Sequence, residues 1–170
     1  LAILRREGGK LVKAYTLLKD LLRPTHATFS DLNGDQKTDF VVSMYGNNIG
    51  RLSWFENQGK GQYLEHLILD RSGALRTEVH DFNGDGIPDL ATLVAQETEA
   101  FYLFYNNGRG EFTPKMVFQK HPLFGHSAFE MVDFDRDGSL DIVATNGDNG
   151  EYPIIPPPKN YHGIRVYLNR

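Results

Sequence analysis

The chain has 170 residues and a formal charge of −4, with 40% hydrophobic and 12% aromatic residues, enough apolar surface for a packed core and no basic excess to favour phosphate backbones or anionic lipid. It contains no cysteine, which excludes a disulfide framework, a thiol nucleophile, a thiolate zinc site and haem attachment. No apolar run approaches the roughly 18 residues needed to cross a bilayer, so neither nucleic acid nor a membrane span in this segment is expected. The chain begins at Leu1 without a charged segment followed by a short apolar run, and is read as a processed or excised piece.

In chain order, residues 1–24 predict the last hairpin of a preceding repeat unit. Glu7-Gly8-Gly9-Lys10-Leu11 falls where Asn107-Gly108-Arg109-Gly110-Glu111-Phe112 falls later on. Taken alone, Tyr15 to Leu22 also fits an amphipathic helix, but register with the repeats favours a strand. Three related units follow, at residues 25–72, 73–122 and 123–170. Each opens with an alternating stretch (Ala27/Phe29, Thr77/Val79, Phe129/Met131) in which polar Thr28, Glu78 and Glu130 intervene, the period of a strand. An Asp-rich loop comes next. A short β-branched or apolar run (Phe40-Val41-Val42, Leu90-Ala91-Thr92, Ile142-Val143-Ala144) then predicts a strand buried on both faces.

A third strand carries an aromatic marker ending in Asn (Trp54 to Asn57, Phe104 to Asn106, Val166 to Asn169), and places Trp54 in the core. A Gly-rich turn leads into a fourth strand at Tyr63 to Leu69 and at Phe112 to Gln119. The first aspartates of the loops, Asp31, Asp81 and Asp133, stand 50 and 52 residues apart. Units of this period and strand content are blades of a β-propeller, too small to bury their own faces and stable only when stacked. The expected fold is therefore all-β, with about three four-stranded antiparallel blades and a leading hairpin, part of a larger ring. A second copy completing the ring is the alternative.

The loops carry the chemistry. Oxygen-bearing side chains recur at positions 1, 3, 5 and 9: Asp31, Asn33, Asp35 and Asp39; Asp81, Asn83, Asp85 and Asp89; Asp133, Asp135, Asp137 and Asp141. The carbonyl at position 7 (Lys37, Ile87, Ser139) is available as a further ligand. Clustered carboxylates repel one another by a few kcal/mol per pair at about 4 Å unless a cation intervenes. This number of hard oxygens in a flexible loop suits Ca²⁺ better than Mg²⁺, which demands a stricter octahedron. Up to three structural Ca²⁺ are expected, which would turn the formal charge from −4 into +2. Glycine at position 6 (Gly86, Gly138) permits a left-handed turn that Gln36 must adopt at a cost of roughly 1 kcal/mol, so the first site is expected to be the weakest and the all-carboxylate third the tightest. An EF-hand fails in all three copies, because position 12 is Val42, Thr92 or Ala144 rather than Glu. Asx-rich turns that satisfy only their own backbone are the bland alternative.

Asp-x-Asn-Gly-Asp-x-x-x-Asp before an apolar strand, repeated at this period, resembles the FG-GAP or VCBS repeats of integrin α-subunit propellers and of many exported bacterial proteins. His26-Ala27-Thr28-Phe29-Ser30-Asp31, Thr145-Asn146-Gly147-Asp148-Asn149-Gly150-Glu151-Tyr152 and Tyr161-His162-Gly163-Ile164-Arg165-Val166 are similar to bacterial VCBS-repeat proteins in which a c-type cytochrome segment precedes the propeller; no Cys-x-x-Cys-His is present here. The resemblance implies a seven-bladed, calcium-bearing propeller that is extracellular, periplasmic or on the cell surface. It implies no reaction.

Partner contacts are expected on the face opposite the Asp loops. There the third repeat is longer: 36 residues separate Asp133 from Asn169, against 26 and 25 for the equivalent pairs Asp31 to Asn57 and Asp81 to Asn106. Its insertion, residues 146–163, offers Asp148, Asn149, Glu151, Tyr152, Tyr161 and His162 around Pro156-Pro157-Pro158, for recognition of a protein or glycan or as a plain spacer. On the innermost strands, His26, Arg76, Glu78 and Glu130 gather near the central channel, either to hold an anion or ion pair or simply hydrated. His80 is expected to support Asp81, and His66 and His121 to lie on the surface. The functional expectation is a noncatalytic binding or scaffold module. The alternatives are a polysaccharide lyase or hydrolase using Glu151 with His162, and an accessory domain of a cell-envelope redox complex.

Overall fold

The computed structural model describes residues 1–96, 98–120, 125–146 and 163–169. Its described elements are thirteen strands and no helix. The leading hairpin pairs β1 (Ala2–Glu7) with β2 (Lys10–Thr16). Two four-stranded antiparallel sheets follow, β3 (Pro24–Ser30), β4 (Asp39–Met44), β5 (Arg51–Gly59) and β6 (Gln62–Leu69), then β7 (Ala74–His80), β8 (Asp89–Gln96), β9 (Thr98–Asn106) and β10 (Phe112–Lys120). A three-stranded sheet closes the series with β11 (His126–Val132), β12 (Asp141–Asn146) and β13 (Ile164–Tyr167). Every sheet is a meander in chain order, the arrangement of propeller blades.

The strand expected to run through Tyr15 to Leu22 stops at Thr16. The amides of Leu17 and Leu18 both bond the Leu1 carbonyl, at 2.9 and 3.2 Å, and Asp20 takes a left-handed φ of 54°. The freed segment turns its leucines onto the first blade: Leu18 is buried with Val42, Met44 and Phe55, and Leu17, Leu21 and Leu22 pack beside it.

Residue parity decides which blade each second-strand side chain meets. Val41 faces the second blade, joining Leu32, Leu52 and Trp54 against Ala74, Leu90 and Phe104. Ala91, Leu93 and Phe101 face the other way and meet Phe129, Ile142 and Ala144 of the third blade. β4 and β8 are thus apolar on both sides because each side is an interface, whereas β12, among the described residues, packs Ile142 and Ala144 on one side only. A hydroxyl chain crosses the first interface, Ser43 Oγ to Thr77 Oγ1 at 2.9 Å and on to Thr92 Oγ1 at 3.0 Å, satisfying groups that are fully buried. Trp54 is core, 3% exposed. Gly110 of the next blade passes so close that a Cβ there would meet the indole, and at φ +76° glycine is the residue that allows this approach.

Phe101 is fully buried and meets Phe129 edge-on at a centroid distance of 4.8 Å across the second interface. Phe101→Ala is expected to destabilise the fold by about 3–5 kcal/mol, through lost burial and a residual cavity, as read from urea unfolding.

Candidate metal centres

All three Asp loops join the first and second strands of their blades and lie at one end of the molecule. Within each loop the first aspartate organises the backbone. Asp31 Oδ1 accepts from the amides of Gly34 (2.8 Å) and Asp35 (3.1 Å), and Oδ2 from Gln36 (2.8 Å). Asp81 repeats this with Gly84, Asp85 and Gly86, and Asp133 with Asp137 and Gly138. Asp35, Asp85 and Asp137 accept the amides of Lys37, Ile87 and Ser139 at 2.8–2.9 Å, and Asn33 and Asn83 accept those of Asp35 and Asp85. These side chains thus form Asx turns that satisfy the loop backbone.

The ninth-position aspartates differ from the rest. Asp39, Asp89 and Asp141 are fully buried. One oxygen of each accepts the amide following the first aspartate (Leu32, Phe82, Phe134, at 3.0, 3.1 and 2.9 Å). The other accepts the amide of the marker Asn (Asn57, Asn106, Asn169, at 2.9, 2.8 and 2.8 Å). This explains why the two sequence markers travel together: the carboxylate ties the loop to the third strand. Asn106 extends the tie between blades, its Nδ2 donating to Leu32 O of the preceding loop at 2.8 Å. Burial raises the carboxyl pKa of Asp39 and Asp89 in spite of those backbone donors, and neighbouring loop carboxylates add to the rise.

The three loops are not equivalent as cation sites. In the third, one oxygen from each of Asp133, Asp135 and Asp141 lies within 4.8 Å of the others, whereas the first two loops carry the amides Asn33 and Asn83 in place of Asp135 and so have one carboxylate fewer. In the first, the Lys37 ammonium stands 2.7 Å from Asp35 Oδ2 and holds that carboxyl below its ordinary pKa. In the second, Asn83 Nδ2 donates to Asp85 Oδ2 at 2.9 Å. Backbone conformation also separates them. Gln36 does adopt a left-handed φ of 64°. A second left-handed position, the fourth, carries Gly34 and Gly84 but Arg136 (φ 64°), a departure that the sixth-position pattern did not reveal. The second loop alone has glycine at both.

Beside the first loop, Asn33 Nδ2 donates to Glu56 Oε1 at 3.3 Å, Glu56 Oε2 pairs with His66 Nε2 at 2.8 Å, and His66 stacks on Trp54 at 4.5 Å. His66 is thus partly exposed but engaged. His80 lies edge-on to Phe82 at 5.8 Å. The innermost strands bring the channel residues together: Arg76 binds Glu78 at 2.6 Å and Glu130 of the next blade at 3.0 Å, while His26 Nδ1 accepts the Thr77 amide at 3.4 Å. Burial holds the His26 imidazole below its usual pKa. Asp148, Asn149, Glu151, Tyr152, Tyr161, His162 and also His121 lie outside the described residues.

His126 is a buried group that no repeat motif marks. It sits fully buried between the second and third blades, 5.3 Å from the Phe118 ring, with Nε2 3.4 Å from the Tyr167 hydroxyl and Nδ1 3.8 Å from Glu99 Oε2. Its repeat equivalent Ala74 is also fully buried, and that register was the available signal. Burial, helped by the charges of Arg165 and Lys120, lowers its pKa to about 4.

The fold and its loops define a class: a stack of antiparallel blades, each with an Asp-rich hairpin loop at one end. The model of the FG-GAP-like repeat matches residues 31–92 and 81–144, and the chain belongs to that family. Among curated proteins it is similar to Integrin alpha-PS5 of Drosophila melanogaster, 24% identical over 157 residues, or 85% of this chain and 14% of that protein. It is also similar to the T-cell immunomodulatory protein homolog of Plasmodium falciparum (isolate 3D7), 32% identical over 83 residues, or 45% of this chain and 12% of that one. The chain spans a small fraction of the length of the curated relatives it matches.

Gln36→Gly and Arg136→Gly each relieve a left-handed side chain, and a gain of up to about 1 kcal/mol is expected in chemical denaturation, reduced by the added freedom of the unfolded chain. For His126 the folded pKa lies below the unfolded value, so the native state rejects a proton that the unfolded chain accepts. Its contribution is intact above pH 6.5 and is lost as pH falls from 6.5 toward about 4. His126→Gln should flatten that part of the profile of melting temperature against pH.

Proposed function

We propose that this chain is part of a Ca²⁺-stabilised propeller acting as a noncatalytic binding or scaffold module for a protein or glycan. The remaining blades of a larger, seven-bladed ring would come from the same parent chain. The observation that carries the metal reading is the convergence of Asp133, Asp135 and Asp141 oxygens within 4.8 Å. Carboxylates held this close and partly desolvated fit a hard divalent cation, which removes their mutual repulsion and favours their ionised form. The residues that would hold it are Asp133, Asp135, Asp137, Asp141 and the Ser139 carbonyl in the third loop. Asp81, Asn83, Asp85, Asp89 and Ile87 would serve in the second, and Asp31, Asn33, Asp35, Asp39 and Lys37 in the first. The ion supplies charge neutralisation, and the loops supply the anchorage of strand to strand.

Family membership and the integrin α relative support a binding module in preference to an enzyme. The same relative supports an extracellular or cell-surface location. No helix among the described residues is long and apolar enough to cross a membrane.

Chelation with EGTA is expected to lower the melting temperature, and readdition of calcium to restore it, because a ligand that binds only the folded state stabilises by mass action. Asp135→Ala should remove one ion from the calcium stoichiometry measured by calorimetry. An unchanged melting temperature across micromolar to millimolar calcium would refute the structural role.

A further inference from the structure

Arg23, Gly73 and Gly125 are equivalent, each standing eight residues before the first aspartate of its loop and directly before the innermost strand of its blade. All three have positive φ, at 51°, 96° and 54°. The position is a joint between blades. The Arg23 carbonyl accepts the Tyr45 amide at 3.0 Å, the Tyr45 carbonyl accepts the Gly73 amide at 2.9 Å, and the Gly73 carbonyl accepts the Ala95 amide at 2.8 Å. At Gly73 a Cβ would lie 2.8 Å from that of Gln96, so glycine is required there. The first blade instead places arginine in a conformation that glycine adopts freely and long side chains rarely do. An outlier of this kind is a reason to look for a function of the side chain.

That side chain is held in place. Its guanidinium lies 5.6 Å over the Tyr45 ring, and Nη1 donates to Asn47 Oδ1 at 3.3 Å. The same oxygen accepts Gln96 Nε2 of the second blade at 2.9 Å. Among the described residues no carboxylate pairs with Arg23, whereas Arg51 pairs with Glu65 and Arg76 with Glu78 and Glu130. It borders an open depression of about 540 Å³ lined by Arg23, Pro24, Thr25, Tyr45 and Leu75, on the end of the blades away from the Asp loops. A planar, oriented guanidinium without a counter-ion suits one planar carboxylate.

We propose that Arg23, fixed by Tyr45 and Asn47, is the docking point for an acidic side chain of a protein partner. One guanidinium lining this depression, in a chain of net charge −4, does not match a polyanion. The guanidinium lies over one face of the Tyr45 ring, which leaves less of the ring for stacking on a sugar. An arginine and a tyrosine beside Pro24 and Leu75 have the character of a protein-interface anchor. The proposal rests on the reading of the fold as a binding module and is independent of the metal.

The test is NMR on the intact ¹⁵N-labelled chain, titrating N-acetyl-aspartate N-methylamide, its asparagine counterpart and glucuronate into the millimolar range, where one such contact is expected to saturate. The Arg23 Nε resonance should shift saturably with the aspartyl probe and not with the asparaginyl one. Arg23→Lys should weaken the effect about tenfold by losing the fork geometry. Arg23→Gly, which restores the residue of the other two joints, should abolish binding, followed at the Asn47 side-chain amide, without lowering the melting temperature. A missing shift, or an Asn47 shift that survives Arg23→Gly, overturns the proposal. Tighter saturation by glucuronate overturns the assignment to a protein side chain. Loss of the calcium-dependent melting shift with the aspartyl response intact would refute the metal reading alone.

Discussion

A carboxylate buried at the ninth position of each Asp loop ties together elements that are far apart in sequence. With one oxygen on the loop and the other on the amide of the marker Asn, Asp39, Asp89 and Asp141 lock the hairpin between the first two strands onto the end of the third. A buried carboxylate is costly unless its charge is met, and the raised pKa values of Asp39 and Asp89 are the mark of that cost. Hydrogen bonds meet part of it. On the proposed reading, a divalent ion held by the neighbouring oxygens would meet the rest.

The blades depend on one another in the same way. Interfaces between sheets hold most of the buried apolar side chains, and β4 and β8 are apolar on both sides because a neighbour covers each side. Polar stitches follow the same interfaces: the Ser43, Thr77 and Thr92 hydroxyls within the core, Asn106 reaching Leu32 O at the loop end, and the backbone relay from Arg23 through Tyr45 and Gly73 to Ala95 at the other. The ends of the stack therefore have different roles. One is organised by carboxylates, whereas the other carries joints, the first of which has arginine in place of glycine and so adds an exposed charge to the backbone tie.

Repetition made the fold legible. Two markers in phase, recurring in the same order in each repeat, specify strand number and order without any knowledge of packing, because the Asp loop reads as a hairpin and the double-faced apolar run as a central strand. Trp54 in the core and the left-handed Gln36 follow from register alone. The end of β2 was not legible, since Leu17 to Leu22 is apolar enough for a strand or a helix and only contact with Val42, Met44 and Phe55 draws it away from both.

The amino-acid sequence by itself determined the repeat, the strand pattern, the oxygen-rich composition of the loops and the family, because these are properties of spacing and residue type. Tertiary structure decided how similar residues were used. It buried His126 between blades, paired Arg76 with Glu130 of the next blade and, among the described residues, left Arg23 without a carboxylate. Those outcomes depend on which side chains meet across an interface, and spacing along the chain does not encode the distance between blades.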